Sequence, residues 1–218
     1  MSARTAPEDA YTAEPFVPGG PGAGLDALRE AAAGCRGCPL HREATQTVFG
    51  AGAPDARVLL VGEQPGDQED RQGKPFVGPA GRVLTRALDE AGVEPDETYI
   101  TNAVKHFTFT VVPERGKRRI HKPPSLREMT ACRPWLVAEV AAIDPEMIVA
   151  LGATAGKALL GSSFRVTEQR GTLLPCPALD DHEMVATIHP SAVLRADDRE
   201  AVYRGLVSDL RVVAEALG

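Results

Sequence analysis

Side chains able to do chemistry concentrate in a few short stretches of this chain. The segment Gly62-Glu63-Gln64-Pro65-Gly66-Asp67-Gln68-Glu69-Asp70 offers carboxylates and amides on a turn whose glycines and proline let the backbone approach a ligand closely. Shortly after it, Pro75-Phe76-Val77-Gly78-Pro79-Ala80-Gly81 pins one aromatic ring between turn formers. That ring could stack on a flat base or plug the core. His189-Pro190-Ser191 supplies an imidazole, and a satisfied structural histidine is the commoner fate of a lone His. Cys35-Arg36-Gly37-Cys38 has a spacing that suits two thiolates on one metal centre, although zinc, a redox dithiol and chance all fit a lone CxxC. The run Arg115–Lys122 (RGKRRIHK) gathers Arg115, Lys117, Arg118, Arg119 and Lys122 around His121. It fits a solvated surface loop, a nuclear-localisation signal or a nucleic-acid contact.

Position decides between these readings, and position depends on the elements. Four apolar runs end in glycine, a polar residue or proline: Arg57–Gly62, Thr98–Ala103, Met147–Gly152 and Met184–His189. Each is short, partly β-branched and bounded by turn signals, as a buried strand should be. Helical patterns lie between and after them, over Ala80–Ala91, Ser125–Ile143, Ala153–Leu160 and Arg199–Leu217. Ser125 with Glu128 forms an S/T-x-x-E capping box at the start of the second, and Asp144-Pro145 ends it. Strands alternating with helices predict a single α/β domain with a mainly parallel four-stranded sheet and helices on both faces. In such sheets ligands bind at the carboxyl ends of the strands. Glu63, Gln64, Asn102 and His189 stand at or near those ends, so a carboxylate, two amides and an imidazole converge on one crevice. Residues 1 to 24, rich in Pro, Gly, Ala and Thr, read as a flexible tail, and residues 25 to 218 as the domain.

Composition narrows the setting. The 218 residues suit one well-buried domain. With 43% hydrophobic and 25% charged residues the chain reads as a globular protein. No apolar run approaches the roughly 20 residues a membrane span needs, no secretory signal is visible, and structural disulfides are therefore not expected. The expected setting is cytoplasmic, without a membrane partner, and the chain is expected to be a monomer. A net charge of −6 argues against a general nucleic-acid binder, yet the basic run concentrates positive field in one place.

Taken in order, GEQPGDQED, PFVGPAG, Asn102 at the second strand and His189-Pro190-Ser191 resemble the uracil-DNA glycosylase superfamily. Cys35, Cys38 and the late Cys132 are similar to its iron–sulfur branch, family four. Two departures refine the likeness. Family four has Ala in the GEAPG turn where this chain has Gln64, and it lacks the insertion Arg115–Lys122. GEQPG together with KRRIH resembles the uracil-crosslinking type.

The resemblance implies a three-layer αβα fold, uracil-containing DNA as partner, single-stranded DNA preferred, and a role for each motif residue. A flipped uracil would stack on Phe76 and pair with Asn102, whose amide donates and accepts at once and so tells uracil from cytosine. Gly62, Gln64, Asp67 and Ser191 would complete the base site. His189 would stabilise the charge that collects on the departing uracil oxygen. In the crosslinking type the histidine of KRRIH, here His121, captures the sugar cation at C1′ in place of water, with Glu63 accepting its other N–H and orienting the ring. Lys117, Arg118, Arg119 and Lys122 would hold flanking phosphates. Cys35, Cys38 and Cys132 would ligate a [4Fe–4S] cluster, with His106 in the place of family four's remaining cysteine. Cys176 has no counterpart in that pattern and is the other candidate for the fourth ligand. An ordinary multiple-turnover uracil glycosylase and a non-catalytic zinc-containing nucleic-acid-binding module are the competing functions.

Overall fold

The computed structural model describes residues 11–19, 23–112, 118–179 and 182–218. Its centre is a six-stranded sheet, in spatial order β1 (Ala51–Gly52), β3 (Thr98–Asn102), β2 (Val58–Gly62), β6 (Met147–Leu151), β8 (His182–Thr187) and β7 (Leu173–Cys176). The four inner strands are β2 (Val58–Gly62), β3 (Thr98–Asn102), β6 (Met147–Leu151) and β8 (His182–Thr187), all parallel to their neighbours in this set. They are the four apolar runs of the sequence, each within two residues of its expected bounds. Two antiparallel edges extend the expected sheet: β1 (Ala51–Gly52) on β3 and β7 (Leu173–Cys176) on β8.

The inner strands read as unbroken apolar runs because both faces of the sheet are covered. Leu59, Val61, Ile148, Ala150, Met184 and Ala186 face one core with Leu136, Val140 and Leu159. Those last three come from α4 (Leu126–Ile143) and α5 (Ala153–Leu160). Val58, Leu60, Met147, Val149 and Val185 face the other with Leu84, Leu88, Leu206 and Leu210, from α3 (Pro79–Ala91) and α8 (Arg199–Leu217). The alternation is the period of two that a pleated strand imposes. At the start of α4 the capping box is formed in both directions, Ser125 accepting from the Glu128 amide and Glu128 from the Ser125 amide. Asp144, in a left-handed conformation at φ 51°, ends the helix.

Two regions differ from the sequence expectation. Residues 11–19 lie where a tail was expected, but Ala13 is buried and its N–H bonds Ala131 O on α4 at 2.8 Å. Much of the basic run forms a hairpin in place of a loop: β4 (Phe109–Val112) pairs antiparallel with β5 (Arg118–His121). No helix of the described residues is long and apolar enough to cross a membrane.

Candidate active site

Parallel register brings Gly62 level with Asn102 at the ends of β2 and β3. The chain leaving β2 carries Glu63 and Gln64, and then enters the short helix α2 (Asp67–Gln72). His189 follows β8 and caps α7 (Pro190–Arg195). Glu63, Gln64, Asn102 and His189, with Phe76 and His121, line one crevice of about 820 Å³.

Several features shape it for a flat ligand with a polar edge. Asn102 is 2% exposed, and among the described residues its buried Oδ1 has no hydrogen-bond partner. An orphaned acceptor of this kind is costly unless an occupant supplies a donor. Beside it, Gly62 has no room for a side chain, since a Cβ would stand 2.3 Å from Asn102 Oδ1 and 2.7 Å from Phe76 Cζ. Phe76 holds its ring there from a left-handed backbone at φ 53°, and the turn is braced by the Gly78 N–H on Glu69 at 2.8 Å. Its ring centroid lies 6.0 Å from that of His189.

The two histidines of the crevice are prepared differently. His189 Nδ1 accepts the Ser191 backbone N–H at 3.1 Å, with Ser191 Oγ 2.7 Å away. Burial, with Arg195 and His121 against Glu63, pushes its pKa down to about 4. A neutral ring whose Nδ1 accepts carries its proton on Nε2, the form suited to donate to a developing oxyanion. His121 is half exposed, and its Nε2 is 3.2 Å from Glu63 Oε1. Glu63 is mostly buried, which alone would raise its pKa. Hydrogen bonds from His121 and Thr154 outweigh burial and hold it below the usual carboxylate value.

Other expected site residues have partners within the protein. Gln64 Oε1 accepts the Thr108 N–H at 3.1 Å, and its Nε2 donates to Thr108 O and Lys122 O at 3.2 and 2.9 Å. One buried amide thus ties both feet of the hairpin to the crevice that Gln64 also lines. Arg119 is only 15% exposed. It pairs with Asp67 and with the fully buried Asp70, at 2.5 and 2.6 Å, and its guanidinium lies over Phe107 and Phe109. Arg119 and Asp67 therefore lock the hairpin against α2, and Asp67 also lines the crevice. Lys122 is exposed. Lys117 lies outside the described residues, as does the side chain of Arg118.

The sequence assigned no role to Thr154, Thr108 or the buried pair Lys105–Glu139. Thr154, just past the end of β6, stands on a strand end as much as Glu63 does, and its hydroxyl bonds Glu63 Oε2. Lys105 and Glu139 are at most 1% exposed, and Lys105 Nζ also donates to Asn102 O at 2.8 Å. Nothing local marks Lys105 and Glu139 as a pair, since they meet only on folding.

Cys35, Cys38 and Cys132 are buried at 7, 8 and 4% exposure, near enough for their charges to be mutually felt. Cys35 Sγ accepts Trp135 Nε1–H at 3.2 Å and Cys132 Sγ accepts the Lys105 N–H at 3.3 Å. Burial raises the Cys38 thiol to about 11 and Cys132 to about 12, so a cation would be needed to hold them as thiolates. His106, buried at 4% exposure, bonds Thr47 Oγ1 at 3.0 Å, and the same hydroxyl donates to Ala32 O at the helix end before Cys35. Burial, aided by His41 and opposed by Asp70, pushes its pKa down to about 4. Three buried thiols and a neutral imidazole fit an iron–sulfur cluster in type and setting. Among the described residues no group of three or more His, Cys, Asp or Glu could together hold a metal ion, a convergence on one point that a many-atom cluster does not require. Cys176 is fully buried in β7 within the α4-side core, a different cluster from the one that holds Cys35 and Cys132.

A mainly parallel sheet covered on both faces, with a strand-end crevice lined by an aromatic ring, a buried amide, a carboxylate and two imidazoles, defines the α/β class of protein. Residues 49–211 match the uracil DNA glycosylase superfamily, and the chain belongs to that family. It is similar to the type-4 uracil-DNA glycosylase of Thermotoga maritima, 37% identical over 177 residues that cover 81% of this chain and 86% of that protein. The type-4 enzyme of Archaeoglobus fulgidus is 30% identical over 199 residues, 89% of this chain and 94% of that protein. A type-5 uracil-DNA glycosylase of Thermus thermophilus is 34% identical over 128 residues, 52% of this chain and 53% of that protein.

Proposed function

We propose that the chain is a uracil-DNA glycosylase that becomes joined to the DNA it attacks through His121. The observation carrying this reading is His121 Nε2 at 3.2 Å from Glu63 Oε1, on the wall of the crevice that holds Asn102 and Phe76.

Uracil enters as a flipped base, preferentially from single-stranded DNA, where no pairing is lost. Its N3–H satisfies Asn102 Oδ1, an atom that cytosine, with an acceptor at N3, leaves orphaned. The ring stacks on Phe76. As the C1′–N1 bond breaks, both its electrons leave on uracil, and the Nε2–H of His189 meets the oxygen that gains the charge. Glu63 Oε1 takes the proton of His121 Nε2, and the electron pair this leaves on Nε2 forms the bond to the sugar cation at C1′. The product is an N-alkylated histidine on an abasic sugar. Its release would require water to attack a crowded acetal carbon, so the reaction stops after one turnover. Lys122, Lys117 and Arg118 contribute phosphate contacts, leaving Arg119 to hold the hairpin.

Cys35, Cys38, Cys132 and His106 would hold a [4Fe–4S] cluster. When bound it supplies a structural clamp between the N-terminal segment and α4, consistent with Ala13, Cys35, Cys132 and Trp135 sharing one buried cluster. Iron with inorganic sulfide in protein purified without air is the expected composition, and stoichiometric zinc would contradict it.

The test of function is a denaturing gel of the protein mixed with single-stranded DNA bearing one uracil. A heat-resistant shifted band is expected, absent for DNA with thymine and absent for His121→Ser. Free uracil with no shifted band would make the protein an ordinary multiple-turnover glycosylase. Neither product would contradict both readings.

A further inference from the structure

We propose that Thr154 is a positioning residue of this site, its hydroxyl fixing one oxygen of Glu63 so that the other meets the nucleophile at C1′. The inference rests on the proposed excision chemistry and adds a residue to it. Glu63 divides its two oxygens between two elements: Oε1 faces His121 Nε2 at 3.2 Å, and Oε2 accepts the Thr154 hydroxyl. The terminal torsion of a glutamate is broad and two-fold, so a carboxylate held at one oxygen alone swings. Held at both, it presents one lone-pair direction to the group it must deprotonate.

The anchor is itself well placed. Thr154 is the second residue of α5, and Gly152, which caps that helix at φ 93°, donates its N–H to Thr187 O at 2.8 Å. A Cβ on Gly152 would stand 2.8 Å from that of His189, so the helix start is packed on the histidine that faces the leaving base. Thr154 therefore registers the carboxylate against the same backbone that sets His189. The β-branched side chain has few rotamers in a helix, which keeps the hydroxyl aimed. Helix stability does not ask for threonine here, since alanine is the better helix former; the bond to Glu63 gives the hydroxyl a use. The requirement is the same whether Glu63 takes its proton from His121 or from a water.

The experiment follows uracil lost from single-stranded DNA in a single turnover, counting adduct and free base together, over a range of DNA concentrations. Thr154→Val and Thr154→Ala remove the hydroxyl with opposite changes in bulk. Both are expected to slow excision at saturating DNA about tenfold. The DNA concentration giving half the maximal rate should stay within about twofold, and Thr154→Ser should restore the rate. If the folded variants excise at the wild-type rate, the inference is overturned. It is overturned equally if the loss appears as weaker DNA binding that serine does not repair, the mark of a merely structural role. A wild-type protein that releases neither adduct nor uracil would instead sink the excision reading, and this inference with it.

Discussion

At the residue scale, the base site is defined by what is missing from it as much as by what it holds. Gly62 leaves the space in which Asn102 Oδ1 and the Phe76 ring stand, and a Cβ there would come within 2.3 Å of one and 2.7 Å of the other. Both neighbours are held, one by burial and the other by a left-handed turn, so neither gives way cheaply. Gly62→Ala is expected to lower excision at least about a hundredfold, with melting temperature changed far less than activity, as a single-turnover assay beside a thermal melt would register. An alanine variant of near wild-type rate would mean that the base sits elsewhere. Glu63, Asn102 and His189 could be placed in one crevice from the sequence because each stands at or near the end of an apolar run, and strand ends are where an α/β sheet gathers chemistry. Gln64 was read as facing substrate on the same ground. Its partners are the backbone of Thr108 and Lys122, residues more than forty positions away, and no local pattern announces them.

At the element scale, the hairpin β4–β5 carries His121 to the crevice, and two side chains outside it hold it in place. Gln64 ties its feet, and Arg119 clamps it to Asp67 and Asp70 while covering Phe107 and Phe109. Asp70 is fully buried and is also bonded by Thr45. Arg119→Gln would leave that carboxylate with fewer donors, costing about 1–3 kcal/mol of stability, and would loosen the hairpin. The expected outcome is slower adduct formation with the salt dependence of DNA binding unchanged. A slope shallower by about 0.7, the value for one lost phosphate contact on a single strand, would instead return Arg119 to the DNA. The pairing of this segment as a hairpin was not legible because basic residues mask its alternation. Only folding reveals that Arg119, level with Val111 across the pair, turns toward two carboxylates. The edge strands were missed for other reasons: β1 spans two residues, too few for any period, and β7 contains Pro175, which argues against a strand. The inner strands were clear because burial on both faces left them almost wholly apolar.

At the scale of the whole molecule, polar groups in the interior set the pH range of stability. His189 is held neutral in the fold, at about 4 against an ordinary value of about 6.5. The unfolded chain therefore binds the extra proton between those values, and stability rises with pH across that window. The contribution is complete above about pH 6.5 and is lost as pH falls through about 4, amounting to on the order of 3 kcal/mol. Denaturant melts of wild type and His189→Gln should diverge by about that amount between pH 7 and 4, the wild type losing more. Parallel curves would mean that the ring is solvated in the fold. The buried Lys105–Glu139 pair joins the same architecture together. It links Asn102 on β3 to the helix that carries Cys132, so the cysteine corner and the base site share one polar joint.

The central claim is a bond between one imidazole and one sugar carbon. Peptide mapping by mass spectrometry after reaction with uracil-containing single-stranded DNA and nuclease digestion reads it directly. A deoxyribose-derived mass on His121, with uracil released in equal amount, is the predicted result. An unmodified His121 beside free uracil, or the sugar carried on another residue, would contradict it.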